Sequence, residues 1–157
     1  MDQTLYNALV HIHSVGRWVV LILLVFGILN SLIAGSRPYI RTDNRLGLLL
    51  TTAADLMFLV GVILYFFGDR GYKLIQRNGF NVVAKDAFLR FWALEHMAGM
   101  LIAIILIHIG KSQGRKHISD KAKHRRTMIF HLVALLITLV SVPWPFRHLV
   151  GAGRGWY

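Results

Sequence analysis

Apolar residues run along this chain in four long blocks, Trp18–Gly35, Leu46–Gly68, Phe91–Gly110 and Met128–Phe146, separated by short charged segments. Each block approaches or exceeds the ~18–20 residues needed to cross the hydrocarbon core of a bilayer. The pattern predicts an all-α integral membrane protein, a four-helix up-down-up-down bundle forming a single domain over residues 1–157. Gly35-Ser36-Arg37-Pro38 closes the first block, because proline disfavours helix at the residue before it and has no amide proton to donate. Pro143-Trp144-Pro145 interrupts the fourth. The segment 69–85 mixes Arg70, Lys73 and Arg77 with Leu74, Ile75, Phe80 and Val82, and fits either a short interfacial helix or a small turn unit. The tail GAGRGWY reads as a flexible end. The start of the chain lacks a basic region and a small-residue cleavage site, so the first span is expected to be retained.

Three blocks carry a face of small and polar residues at helical spacing. His13, Arg17, Val20, Leu24, Gly27, Ser31 and Ala34 align on the first helix. His96, Gly99, Ala103 and Gly110 align on the third, and Thr127, His131, Ala134, Thr138 and Ser141 on the fourth. In lipid such faces are where helices meet. His11 falls on the side of Trp18 and Ile22, toward lipid or headgroups, so His13 is expected to be the buried histidine of the pair. His108 lies about 120° from the His96 face and close to Lys111, within reach of the interface.

Composition supports the membrane assignment: 55% of the residues are hydrophobic and 16% charged. The net charge of +11 comes from short loops beside apolar spans, where anionic lipid headgroups account for it better than nucleic acid does. Membrane lipids are therefore the expected partners, and nucleic acid is not. The densest loop, 111–126, holds Lys111, Arg115, Lys116, Lys121, Lys123, Arg125 and Arg126, which places it in the cytoplasm and both termini on the outer side of the membrane. Trp18, Trp92 and Trp144 then fall at one outer boundary as an aromatic belt. There is no cysteine, which excludes disulfides, thiolate metal sites and covalently attached heme and leaves histidine and carboxylate as ligands.

Ionisable residues inside spans mark a buried partner or a functional site. Glu95 and His96 in the third span are the foremost, with His13 and Arg17 in the first, Asp55 in the second, and His108 and His131 nearer the inner side. Asp55, ten residues past Arg45 and so ~15 Å deep, is expected to be neutral or paired in the bundle interior. Two explanations of the central residues stay open. His13 and His96 could be axial ligands of a heme b iron, with Arg17 or Arg90 meeting its propionates. Alternatively, an Arg17–Glu95 ion pair with both histidines bonded beside it could be a structural network without cofactor. A quinone, metal or proton site remains a third possibility. Against heme stands depth: counted from Arg37 and Lys111, His13 lies twenty-four residues up and His96 fifteen, a mismatch of ~13 Å. It vanishes only if the first helix bends near Gly16 or the inner ends of the two helices are not level. A second pairing, His108 with His131, matches better in depth but not in facing.

The N-terminal HIHSVGRW, the third-span RFWALEHMAGM and the terminal VPWPFR resemble short four-helix bacterial membrane proteins labelled cytochrome b-like. The resemblance implies that His13, Arg17, Trp18, Glu95 and His96 are characteristic residues and that heme is a candidate cofactor. The chain is also similar to the four-helix b-type cytochromes that exchange electrons with quinone, although it lacks their fuller histidine set. The function expected on this basis is electron transport between quinone and a larger membrane redox complex. The alternative is a non-catalytic accessory subunit whose polar cluster sets helix register.

Overall fold

The computed structural model describes residues 2–151, and among them there are helices and turns but no strand. The expected flexible tail lies, from residue 152 onward, outside the described residues. Four long helices dominate: α1 (Gln3–Ala34), α2 (Arg41–Phe67), α6 (His96–Ser112) and α7 (Asp120–Ser141). Asp2 starts α1 by accepting the amides of Thr4 and Leu5 at 3.1 and 3.2 Å, which satisfies donors that have no partner inside the helix. Ser119 does the same for α7 through the Ala122 amide. The first helix therefore begins well before Trp18. The last ends at Ser141, short of the expected 146, because the chain turns extended at Val142 ahead of Pro143.

Between α2 and α6 the undecided segment resolves into two short helices, α3 (Tyr72–Asn78) and α4 (Phe80–Lys85). Gly79, with φ of 80°, makes the break, a conformation that a side chain disfavours. Asp86 caps α5 (Ala87–Arg90) through the Leu89 amide. A single π-helical turn, Phe91–Glu95, joins α5 to α6, and a short helix α8 (His148–Gly151) follows α7.

Each long helix packs on two others, α1 on α2 and α7, and α6 on α2 and α7, so that α1 and α6 face each other across the middle. Leu24, Leu50, Ala54, Ala103, Ile107 and Ala134, drawn from all four, form the core. Around it the distribution is inverted relative to a water-soluble protein. Ser31, Thr51, Thr127, His131, Thr138 and Ser141 are buried, whereas Phe26, Leu32, Ile33, Leu56 and Val140 are exposed. Three of the helical stretches, α1, α2 and the run through α6, are long and apolar enough to cross a membrane. α7 is 22 residues long but less apolar, because its first two turns carry Asp120, Lys121, Lys123, Arg125 and Arg126.

The relative height of the helices is set by His131. Its ring is wedged between α1 and α6: a Cβ placed on Gly27 would come within 3.1 Å of Nδ1, and one on Gly110 within 2.6 Å of Cδ2. The 2.6 Å approach leaves no room for a side chain at Gly110, and Gly27 lies in close contact with the same ring, so the two glycines stand at about one level. His13 is fourteen residues above Gly27, and His96 is fourteen above Gly110. At ~1.5 Å per residue both histidines then rise ~21 Å from that level. The mismatch calculated from Arg37 and Lys111 disappears because the ends of the two helices nearest those residues are not level. α1 runs on past Gly27 to Ala34, and Arg37 folds back to bond Asp43 at 2.7 Å.

Candidate functional site

His13 of α1 and His96 of α6 meet with ring centroids 6.3 Å apart and planes at 74°. Each is placed by something the chain does locally. Gly61 on α2 leaves room for the His13 ring, since a Cβ there would stand 3.2 Å from its Cε1. His96 follows the π-helical turn, and its Nδ1 lies 2.8 Å from the Ser141 carbonyl at the end of α7. A neutral His96 donates that proton, so Nε2 would be its ligating nitrogen. A ring proton given to a backbone carbonyl is the usual way a metal-binding imidazole is oriented. The π-helical turn is itself braced by Tyr65, whose hydroxyl donates to the Ala93 carbonyl at 3.0 Å.

The two histidines line a cavity of about 170 Å³. Methionines 57, 97 and 100 and Phe58 supply much of its apolar wall, while Arg17, Arg70, Tyr65, Tyr6, Ser14 and Thr138 are among its polar members. Arg17 lies 5.5 and 5.4 Å from the rings of Trp18 and Trp144, and Arg70 lies 4.8 Å from that of Trp92. The three tryptophans of the expected belt thus gather at the same end of the molecule as the cavity, stacked with its arginines.

The other sequence candidates go elsewhere. Glu95 is half exposed and pairs with Arg90, Nε to Oε1, at 2.6 Å. The Arg17–Glu95 pair of the cofactor-free alternative is therefore not made. In a regular α-helix residues five apart diverge by about 140°, but the wider π-helical turn brings Arg90 and Glu95 onto one side, away from the cavity. Asp55 is paired as expected, with His108 at 2.8 Å, yet the pair sits outside the core, its side chains 51% and 47% exposed. His131 is buried against the glycines. Positions 108 and 110 of one helix point about 200° apart, so His108 faces away from the side of α6 that holds His131, and their pairing is excluded. Among the described residues no cluster of three or more histidines and carboxylates suited to a bare metal ion occurs.

Tyr65, Arg70, Met57 and the Ser141 carbonyl were not legible as site components. They lie far from His13 and His96 along the chain, and the π-helical turn has no marker in the sequence. A second polar network closes the end of the molecule away from the cavity. Asp43 accepts Arg37 at 2.7 and 2.8 Å, Asn30 at 2.7 Å and the Ile40 amide at 2.8 Å. It stands ahead of the apolar stretch that begins at Leu46. Burial alone would push its carboxyl up, but these hydrogen bonds outweigh burial and hold it at about 2.

No family model, curated protein or solved structure matches the chain.

Proposed function

We propose that the protein is a four-span, up-down-up-down membrane bundle that binds heme b between His13 and His96 and passes electrons between quinone and a partner redox complex. The observation that carries the heme assignment is the geometry of the two rings. An imidazole nitrogen bonds a first-row metal at about 2 Å and its ring centre lies about 1 Å further out, so two imidazoles on opposite sides of one iron have centres about 6 Å apart. The observed 6.3 Å agrees with that spacing. A backbone carbonyl on His96 Nδ1 and arginines placed to meet propionates fit the same group. A macrocycle needs more room than 170 Å³, and the flexible methionines on the wall are the side chains that would move aside.

Heme held there would supply one-electron chemistry. The chain itself contributes the rest. His13 and His96 fix ligand distance and height, Ser141 fixes the His96 tautomer, and the apolar wall limits water. Membrane embedding is supported by the three long apolar helices and by the placement of large apolar side chains outside and hydroxyls inside. The resemblance to cytochrome b-like proteins points the same way.

The test is the absorption spectrum of protein purified from membranes of heme-replete cells. A Soret band and a sharp reduced α-band that His96→Ala abolishes or strongly shifts are expected, with His11→Ala leaving them in place. A stable, colourless protein, or bands indifferent to His96→Ala, would sink the assignment.

A further inference from the structure

The Asp55–His108 pair is a polar feature that the cavity does not explain. Its level follows from the packing of Gly47 on the Lys111 stem, where a Cβ would stand 3.1 Å from Cγ. His108 is three residues above Lys111 and Asp55 eight above Gly47, so the pair lies ~5–12 Å inside the basic inner boundary. Its surroundings are Leu56 and Leu59 on α2 and Leu101 and Ile105 on α6, all exposed. Asp55 and His108 bond each other through Oδ1 and Nε2, and among the described residues neither makes another hydrogen bond.

In lipid a polar group without a partner is costly, and water is not there to supply one. What the pair still needs can be counted. If the shared proton rests on His108, the imidazolium keeps an Nδ1–H donor and the carboxylate keeps Oδ2 as an acceptor. If it rests on Asp55, the neutral imidazole still offers Nδ1–H and the acid still offers its other oxygen. Either placement leaves one donor and one acceptor side by side, and these complement each other. A surface that carries both halves of its own complement is satisfied by a copy of itself turned through a two-fold axis.

We propose that this face of α2 and α6 is a homodimer interface within the membrane, where His108 Nδ1–H of each copy donates to Asp55 Oδ2 of the other. The exposed leucines and isoleucines around the pair form the apolar surround of the contact. The inference rests on the membrane reading above and is independent of heme.

The chain has no cysteine, so single cysteines report contact without background. Leu56→Cys and Ile105→Cys would be made on the proposed face, and Leu32→Cys and Val140→Cys on exposed positions of α1 and α7. Each full-length variant would be treated in native membranes with a short bis-maleimide. Cross-linking to twice the monomer mass is expected from the first two and not from the last two. Asp55→Leu should cut that yield about tenfold, the order expected for losing interhelical hydrogen bonds in lipid. The exchange Asp55→His with His108→Asp preserves self-complementarity and should restore the yield, which separates loss of the contact from loss of the fold.

Equal yields from all four positions would mean random collision and overturn the proposal. Products at a different mass only would mean a foreign partner, and the absence of products would mean a monomer, either of which also overturns it. Washing the same membranes with alkaline carbonate tells the two readings apart. Protein retained but not cross-linked defeats the dimer alone, whereas protein released defeats the membrane reading with it.

Discussion

Single side chains decide most of what this molecule can do, and Asp43 shows how burial and bonding compete at one of them. Its carboxyl is held at about 2, below the ordinary 3.8. When pH falls, the unfolded chain takes up the proton first, so the stability Asp43 contributes is intact above pH 3.8 and is lost as pH drops through that value toward 2. The loss should be on the order of 2 kcal/mol. Thermal melts of detergent-solubilised protein between pH 5 and 2 should show it, and Asp43→Asn should flatten that acid limb while lowering stability at neutral pH. An unchanged acid limb in Asp43→Asn would show that another carboxylate sets it. Tyr65→Phe leaves the Ala93 carbonyl without its donor and should cost about 1 kcal/mol. If His96 depends on the braced π-helical turn, the same variant should also shift the absorption bands without removing them.

At the scale of the helices, the decisive feature is the wedge of His131 between Gly27 and Gly110. A methyl group on Gly110 would stand 2.6 Å from the imidazole ring, so Gly110→Ala must push α6 outward or tilt the ring, at about 1–3 kcal/mol. Because that wedge sets the level of the helices, Gly110→Ala should also disturb the distant His13–His96 pair. The measurement is a double-mutant cycle on melting temperature with His131→Ala. Strong non-additivity is expected, since the smaller side chain removes the clash. Additive effects would show that the glycine serves something other than the histidine.

For the whole molecule, the basic loop 111–126 sets the prediction. A reporter enzyme fused within it should be active only as a cytoplasmic fusion, and one placed ahead of Gln3 only as an external fusion. The reverse pattern would invert the topology and place the cavity at the cytoplasmic end. The levels depend on one another: the wedge aligns the helices, the alignment brings the histidines together, and in the proposed membrane the orientation would decide which side the cavity faces.

The long apolar blocks were sufficient to announce an all-helical chain, because a span must be apolar over its whole length and that leaves a continuous signal in the sequence. The small-residue faces of the first, third and fourth blocks were legible for a similar reason, since close helix packing tolerates little else along a stripe. His13 could be preferred to His11 on that ground, and the structure places it on the cavity. Tertiary structure alone decided the rest. The count from Arg37 and Lys111 misplaced His13 against His96 because chain distance to a charged residue measures height only if helix ends are level, and Arg37 turns back to Asp43. The π-helical turn sent Glu95 to Arg90 instead of Arg17, since one widened turn changes which residues share a side and no composition marks it. Asp55 was read as interior from depth, whereas rotation about the helix axis put it on the outer face beside His108. Depth is written in the number of residues from an end; facing and level are fixed only when helices from distant parts of the chain press against one another.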